Sequence, residues 1–251
     1  MMRAGEQADR TGMVGWRSGV RVRPGPKPTA SAEAVGSSGP ARSAEPQPTP
    51  AHRGRPDAAT AADHPAVPPP DGRPGLVTVG HGTLDRTELA GLLHGAAVRA
   101  LVDVRTVPGS RRNPDTARDV MGEWLSAEGI SYRWDQRLGG FRRLADHSPD
   151  TFWRNTSFRA YAGHTRTPEF LTAMAELLEE VRQRTDGRVS VLCGETVWWR
   201  CHRRIIADYA WLVAGIPAWH LMHDGRLVEH PPTPGARVQS DGLLVYDADP
   251  G

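Results

Sequence analysis

The chain has 251 residues, a formal net charge of +2 and two cysteines. A net charge this small gives no basis for predicting nucleic-acid binding from charge alone. Two cysteines in a chain of this length do not make a disulfide framework, so a reducing, cytoplasmic location is expected. No apolar run approaches the ~20 residues that a membrane-spanning helix needs, so no membrane association is expected.

The composition divides the chain near residue 75. Before Leu76 the sequence holds 13 of the 22 prolines and no leucine, isoleucine, phenylalanine or tyrosine. Such a segment cannot bury enough apolar surface to offset the conformational entropy lost on folding. We therefore predict that residues 1–74 form a disordered extension rich in proline, alanine and arginine. Residues 75–251 are enough for one folded domain.

The first predicted element of this domain is a buried strand, Leu76–Val79, which ends at the sequence Gly80-His81-Gly82. Asp85 is followed three residues later by Glu88, a capping-box pattern that predicts the start of a helix. A second strand, Ala100–Val104, is apolar on both faces, as expected of a strand inside a parallel sheet.

Helical and extended patterns alternate over the rest of the domain. Helices are predicted near 117–127, 158–162, 167–187 and 201–213, and strands near 130–134, 188–193 and 218–222. Two Asp-Gly pairs, at 224–225 and 241–242, indicate a closing hairpin or a tail strand. This order predicts an α/β fold, a single Rossmann-like domain with a mostly parallel sheet and helices on both faces.

Polar residues follow three of the predicted strands. His81 follows the first strand. Asp103 and Arg105 lie at or just after the end of the second, and Cys193 and Glu195 lie at or just after the end of the strand at 188–193. In open α/β sheets, ligands bind at the carboxyl ends of the strands. We therefore expect these residues to line one polar pocket.

Residues 193–204, CGETVWWRCHRR, contain both cysteines of the chain. A thiol at Cys193, close to a helix start and to arginines, could be a nucleophilic thiolate. Glu195 would serve as a general acid or base, and His202 could accept or donate a proton. The structural alternatives are a packed thiol, a salt-bridged carboxylate and a hydrogen-bonded imidazole.

The arginines of the same edge suggest an anionic ligand. Arg105, oriented by Asp103, could clamp a phosphate or carboxylate, and Arg111 and Arg203 would add positive charge. The alternative for Asp103 and Arg105 is a mutual ion pair. The glycines beside His81 would let the backbone approach a ligand closely. They lack the full G-x-G-x-x-G pattern, so the cofactor stays unknown.

A metal or redox role for Cys193 and Cys201 is a further alternative. The two could form a disulfide, or could bind zinc together with Glu195 and His81. We do not expect Cys201 and His202 to share an ion, because neighbouring residues on a helix point about 100° apart. Two cysteines without a Cys-x-x-Cys pair are not enough to predict a metal site, so none is predicted.

Several segments together resemble a prokaryotic family, domain of unknown function 488. They are VTVGHGTLD, LVDVRTVPGSRRNP, the Leu-Gly-Gly at 138–140, FRAYA and VLCGETVWWRCHRRIIA. The family pattern Cys-x-Glu, with Cys-His-Arg following six residues after the Glu, is matched by Cys193, Glu195, Cys201, His202 and Arg203. The likeness covers most of residues 76–222. It implies a fold and a site but no reaction.

These observations favour a small enzyme that acts on an anionic substrate, such as one derived from a nucleotide or a nucleic acid, at the carboxyl edge of the sheet. The alternatives are a noncatalytic module that binds nucleic acid or nucleotides, and a metal or redox protein. The expected partner is an anionic small molecule or a nucleic acid. The sequence leaves the oligomeric state open.

Overall fold

The computed structural model describes residues 74–109 and 113–248. Nearly all of the predicted extension, residues 1–74, lies outside these ranges, so its disorder stays a prediction. The strands are β1 (Leu76–Gly80), β2 (Val98–Asp103), β3 (Ser131–Trp134), β4 (Arg188–Cys193), β5 (Ala218–Leu221), β6 (Leu227–Glu229), β7 (Ala236–Val238) and β8 (Leu244–Tyr246).

The helices are α1 (Arg86–Gly95), α2 (Arg118–Ala127), α3 (Thr156–His164), α4 (Pro168–Gln183) and α5 (Arg203–Asp208). The predicted capping box is present, since Asp85 and Glu88 exchange side-chain and backbone hydrogen bonds. The helix predicted near 201–213 is confirmed over residues 203–213. Cys201 and His202 precede α5, and a π-helical turn, Tyr209–Val213, follows it.

The main sheet has six strands in the order β3-β2-β4-β1-β5-β6. Only β6 is antiparallel, pairing with β5 after the turn at Asp224-Gly225. Helices α1 and α2 bury their apolar residues on one face of the sheet, and α3, α4 and α5 do so on the other. The predicted α/β fold with a mostly parallel sheet and helices on both faces is therefore confirmed.

The order of the strands brings three polar strand ends side by side. Gly80 at the end of β1 pairs with Cys193 at the end of β4, and Asp103 at the end of β2 pairs with Leu192. The backbone N–H of His81 donates to the carbonyl of Cys193 at 3.0 Å. The loops that follow β1, β2 and β4 therefore begin next to one another at the same edge of the sheet.

A buried chain of hydrogen bonds runs from β1 through β5 to α5 and β8. Thr78 Oγ1 lies 2.7 Å from Nδ1 of His220, whose Nε2 is 3.0 Å from Nδ1 of His230. Nε2 of His230 then lies 2.9 Å from Asp208 Oδ1, and the hydroxyl of Tyr246 donates to Asp208 Oδ2 at 2.9 Å. This chain ties β1, β5, α5 and β8 together.

No helix in the described part of the chain combines the length and the apolar character that crossing a membrane requires.

Candidate active site

A cleft of ≈ 460 Å³ opens at the carboxyl ends of β1, β2 and β4. It lies where an open α/β sheet places its ligands. Its lining comes from the ends of these strands, from the long loop that follows β3 and from α3. The lining residues are His81, Arg105, Thr106, Val107, Gly109, Gly140, Phe141, Ser157, Phe158, Tyr161, Cys193, Gly194, Glu195, Arg200, Cys201 and His202.

Two sulfurs and one imidazole nitrogen converge in this cleft. Sγ of Cys201 lies 3.6 Å from Nδ1 of His202, and Sγ of Cys193 lies 3.9 Å from the same nitrogen. The three atoms all lie within 4.8 Å of one another. We call Cys193, Cys201 and His202 the dithiol–imidazole cluster.

The orientation of the His202 ring is fixed from three sides. Nε2 lies 3.1 Å from the carbonyl oxygen of Val104, which can only accept, so Nε2 carries a proton and donates it, and Nδ1 faces the two sulfurs. The ring of Tyr161 lies 4.9 Å from the imidazole, centroid to centroid. Gly140 approaches so closely that a methyl group on its Cα would lie 2.6 Å from Nδ1.

Arg203 is buried behind the dithiol–imidazole cluster and donates a hydrogen bond to one of its sulfurs. It is 1 % exposed and is not among the residues that line the cleft. Its Nε donates to Sγ of Cys201 at 3.3 Å, while Nη2 donates to the carbonyl oxygen of Glu195. The sequence predicted that Arg203 binds substrate. In the structure its guanidinium is used to hold a thiol and the loop between the two cysteines.

The two thiols differ in acidity because they interact with each other. The hydrogen bond that the Cys193 thiol donates to Cys201, together with burial, raises the pKa of Cys193 well above its usual range. Burial opposes ionisation of Cys201 too, but the bond from Cys193 and the interaction with His202 outweigh it and lower its pKa. These directions favour Cys201 as the thiolate of the pair, and Nε of Arg203 donates to the same sulfur. The predicted role of Cys193 as a nucleophile stays a prediction.

Arg105 is held almost completely by protein partners. Its Nε donates to both carboxylate oxygens of Asp103, at 2.9 and 3.0 Å, and Nη2 donates to the carbonyl of Thr116 at 2.8 Å. Nη1 donates to Nε2 of His81 at 3.2 Å. Of the five N–H groups of arginine, one on Nη1 has no partner among the described residues. The ion pair with Asp103, the structural alternative, is thus present.

His81 is a neutral imidazole in this arrangement. Its Nε2 accepts from Arg105, and its Nδ1 donates to the carbonyl of Gly82 at 3.0 Å. Burial and the adjacent guanidinium lower the pKa of His81 to about 4. The ring lines the cleft, so it can hold Arg105 in place while itself contacting a ligand.

The other predicted site residues lie apart from the cluster. Glu195 is exposed and lines the cleft, while Asp103 is completely buried beneath it. Arg111 lies outside the described residues, in the gap between Gly109, which lines the cleft, and Asn113. The structure therefore places His81, Arg105, Cys193, Glu195 and His202 in one lining, with Asp103 and Arg203 beneath it.

The expectation that Cys201 and His202 point apart is wrong. It assumed a helix, but Cys201 has extended backbone angles, φ −125° and ψ 149°, after a short 3-10 turn at Trp198–Arg200. The sequence analysis also missed Gly140 and Phe141. The Gly-Gly pair in an otherwise polar loop was the available signal for a close approach of backbone to the site.

A family model, described as "Domain of unknown function DUF488", matches residues 85–210, half of the chain. The match covers both cysteines, Glu195, His202 and Arg203. Comparison with curated proteins and with solved structures gives no match. The chain therefore belongs to the DUF488 family, and the name of this family does not specify an activity.

Proposed function

We propose that this protein is an enzyme that acts on an anionic substrate in the cleft, with the dithiol–imidazole cluster as its reacting centre. The observation that carries the proposal is the convergence of two sulfurs and one imidazole nitrogen within 4.8 Å in the lining of the cleft. A module that only held phosphates would need cationic side chains and backbone N–H groups, not two thiols and an imidazole in contact.

Positive charge near the cleft supports an anionic substrate. Arg200 is exposed in the lining, and its guanidinium has no ion-pair partner among the described residues. Arg105 also lines the cleft, and one of its N–H groups has no partner among the described residues. The anion contact predicted for Arg111 falls on a residue outside the described ranges, and it stays a prediction.

Exposed apolar side chains at the cleft suggest that the substrate also carries an apolar group. Val107 is 73 % exposed and Phe141 is 82 % exposed, although both are large and apolar. Both line the cleft with Phe158. An aromatic or other planar apolar group of a ligand would cover these side chains and gain the free energy of their burial. The proposed substrate class is therefore an anion that carries such a group.

Glu195 is the candidate general acid or base. It is the one carboxylate among the described residues that line the cleft. It follows the end of β4 by two residues, and its backbone carbonyl is held by Arg203. Its fixed backbone and exposed side chain suit a group that must reach a bound substrate and exchange protons with water.

The test uses 4-nitrophenyl phosphate, which combines an anion with an aromatic ring, and the uncharged ester 4-nitrophenyl acetate. We expect turnover of the phosphate to exceed turnover of the acetate. His202→Asn should abolish it, and Arg200→Gln should raise KM with a smaller effect on kcat. Arg182→Gln, on the outer surface of α4, is the matched control and should behave like the parent protein.

The noncatalytic alternative gives a different result. A phosphate-binding module would bind 4-nitrophenyl phosphate or an oligonucleotide with an affinity that falls steeply as salt rises, without turnover. Binding of that kind, with product formation no faster than in the His202→Asn variant, would contradict the proposed enzyme.

A further inference from the structure

The geometry points to a zinc site formed by Sγ of Cys193, Sγ of Cys201 and Nδ1 of His202, with the fourth coordination position open to the cleft. This inference deepens the proposed function, because the ion would sit in the reacting centre. The site rests on the positions of the three side chains and on the groups that orient them.

The distances between the ligand atoms suit a tetrahedral zinc ion. With Zn–S near 2.3 Å and Zn–N near 2.0–2.1 Å, tetrahedral angles place sulfur and nitrogen about 3.5 Å apart and two sulfurs about 3.8 Å apart. The Sγ–Nδ1 distances are 3.6 and 3.9 Å, and no pair of the three atoms exceeds 4.8 Å. Zinc could enter with small rotations of the side chains.

The partners of the imidazole match those of a zinc ligand. A histidine that binds zinc donates its other N–H to a carboxylate, a carbonyl or water, which fixes the tautomer and the ring. Here Nε2 of His202 donates to the carbonyl of Val104, at the end of β2. Nδ1 is thereby left as the ligand atom, on the side where both sulfurs lie.

A charged partner also supports one of the sulfurs. Nε of Arg203, almost fully buried, donates to Sγ of Cys201 at 3.3 Å. Such a bond stabilises a thiolate, which is the form that binds metal. Both sulfurs bind zinc as thiolates, so the protons that Cys193 and Cys201 carry leave to solvent when zinc binds, and the ion with two thiolates carries no net charge.

The donor set also indicates the kind of ion and its role. Two thiolates and an imidazole are suited to zinc, and unsuited to magnesium or calcium, which prefer oxygen ligands. Three protein ligands with an open fourth position are typical of catalytic rather than structural zinc. Because these three residues line the cleft, the fourth ligand would be water or an oxygen of the anionic substrate.

The test measures metal in the full-length protein. After expression in zinc-supplemented medium and gel filtration, we expect about one zinc per chain. After removal of zinc by a chelator, cobalt(II) should restore one ion per chain and give a sulfur-to-cobalt charge-transfer band. Cys193→Ser and Cys201→Ser should each reduce that band to about half or less, and His202→Asn should weaken cobalt affinity by at least ~100-fold. His94→Asn, a surface histidine, is the control.

A second measurement covers variants that fail to fold. In the parent protein, iodoacetamide should label both cysteines slowly until a chelator is added and faster afterwards. Absence of zinc with no charge-transfer band, a band unchanged in Cys193→Ser, or labelling that ignores the chelator would each overturn the site. None of these readouts needs a substrate. Bound zinc without turnover would therefore refute only the proposed enzyme activity, and turnover without bound zinc would refute only the proposed zinc site.

Discussion

We expect His220, in the buried chain of hydrogen bonds, to make the protein sensitive to acid. Its side chain is 1 % exposed, stacks on Trp198 with ring centroids 4.0 Å apart, and is hydrogen-bonded to Thr78 and His230. Burial, then the neighbouring His230, Arg203 and Arg204, lower the pKa of His220 to about 2.

The sign and size of the effect follow from this value. The unfolded chain takes up the proton near pH 6.5, whereas folded His220 resists it until about pH 2. The stability that His220 contributes is thus complete above pH 6.5 and is lost as the pH falls. Between pH 7 and pH 4.5 this single group should cost about 2.5 kcal/mol of unfolding free energy, at about 1.4 kcal/mol per pH unit.

The assay is urea unfolding at pH 7 and pH 4.5 for the parent protein, for His220→Gln and for the control His94→Gln. Glutamine retains an amide donor and an oxygen acceptor but does not titrate. The parent should lose about 2.5 kcal/mol more than His220→Gln over this interval. His81 contributes equally to both proteins and cancels. Equal losses in the parent and in His220→Gln would refute the reasoning.

Three further outcomes are expected. Gly140→Ala should reduce zinc content severely and leave the fold intact, because the added methyl would lie 2.6 Å from the cluster's imidazole, whereas Gly95→Ala, which meets nothing within 4 Å, should bind zinc normally. Tyr246→Phe should lower the unfolding free energy by about 1–2 kcal/mol in urea titrations, because Asp208 loses a buried hydrogen bond. Phe141→Ala should leave the melting temperature unchanged, because the ring is 82 % exposed, and should weaken thermal protection by 4-nitrophenyl phosphate.

The sequence predicted the layers of the fold because its signals there are local. Uniformly apolar strands, the capping pair at Asp85 and the apolar face of α4 each depend on a few neighbouring residues. Two details were not predictable in the same way: the start of α5 at Arg203 and the π-helical last turn, Tyr209–Val213. No glycine or proline marks either position in the sequence.

The location of the site was predictable from the sequence, but the orientation of its side chains was not. Strand ends indicated where His81, Arg105 and Cys193 would meet. The orientation of His202 depends on a backbone carbonyl from a distant strand, and any residue at Val104 would supply that oxygen. The burial of Arg203 beneath the cleft depends in the same way on the path of the loop after Cys193, which only the folded chain defines.

The residues that match the family model do not include all strands of the main sheet. The match ends at residues 85 and 210, but β1 (Leu76–Gly80) and β5 (Ala218–Leu221) lie outside it. Since β1 pairs directly with β4, a fragment trimmed to those limits would turn an interior strand into an open edge along Val189–Cys193. Unpaired backbone groups on an apolar strand promote self-association. The matched segment is thus shorter than the stretch of chain that forms the main sheet.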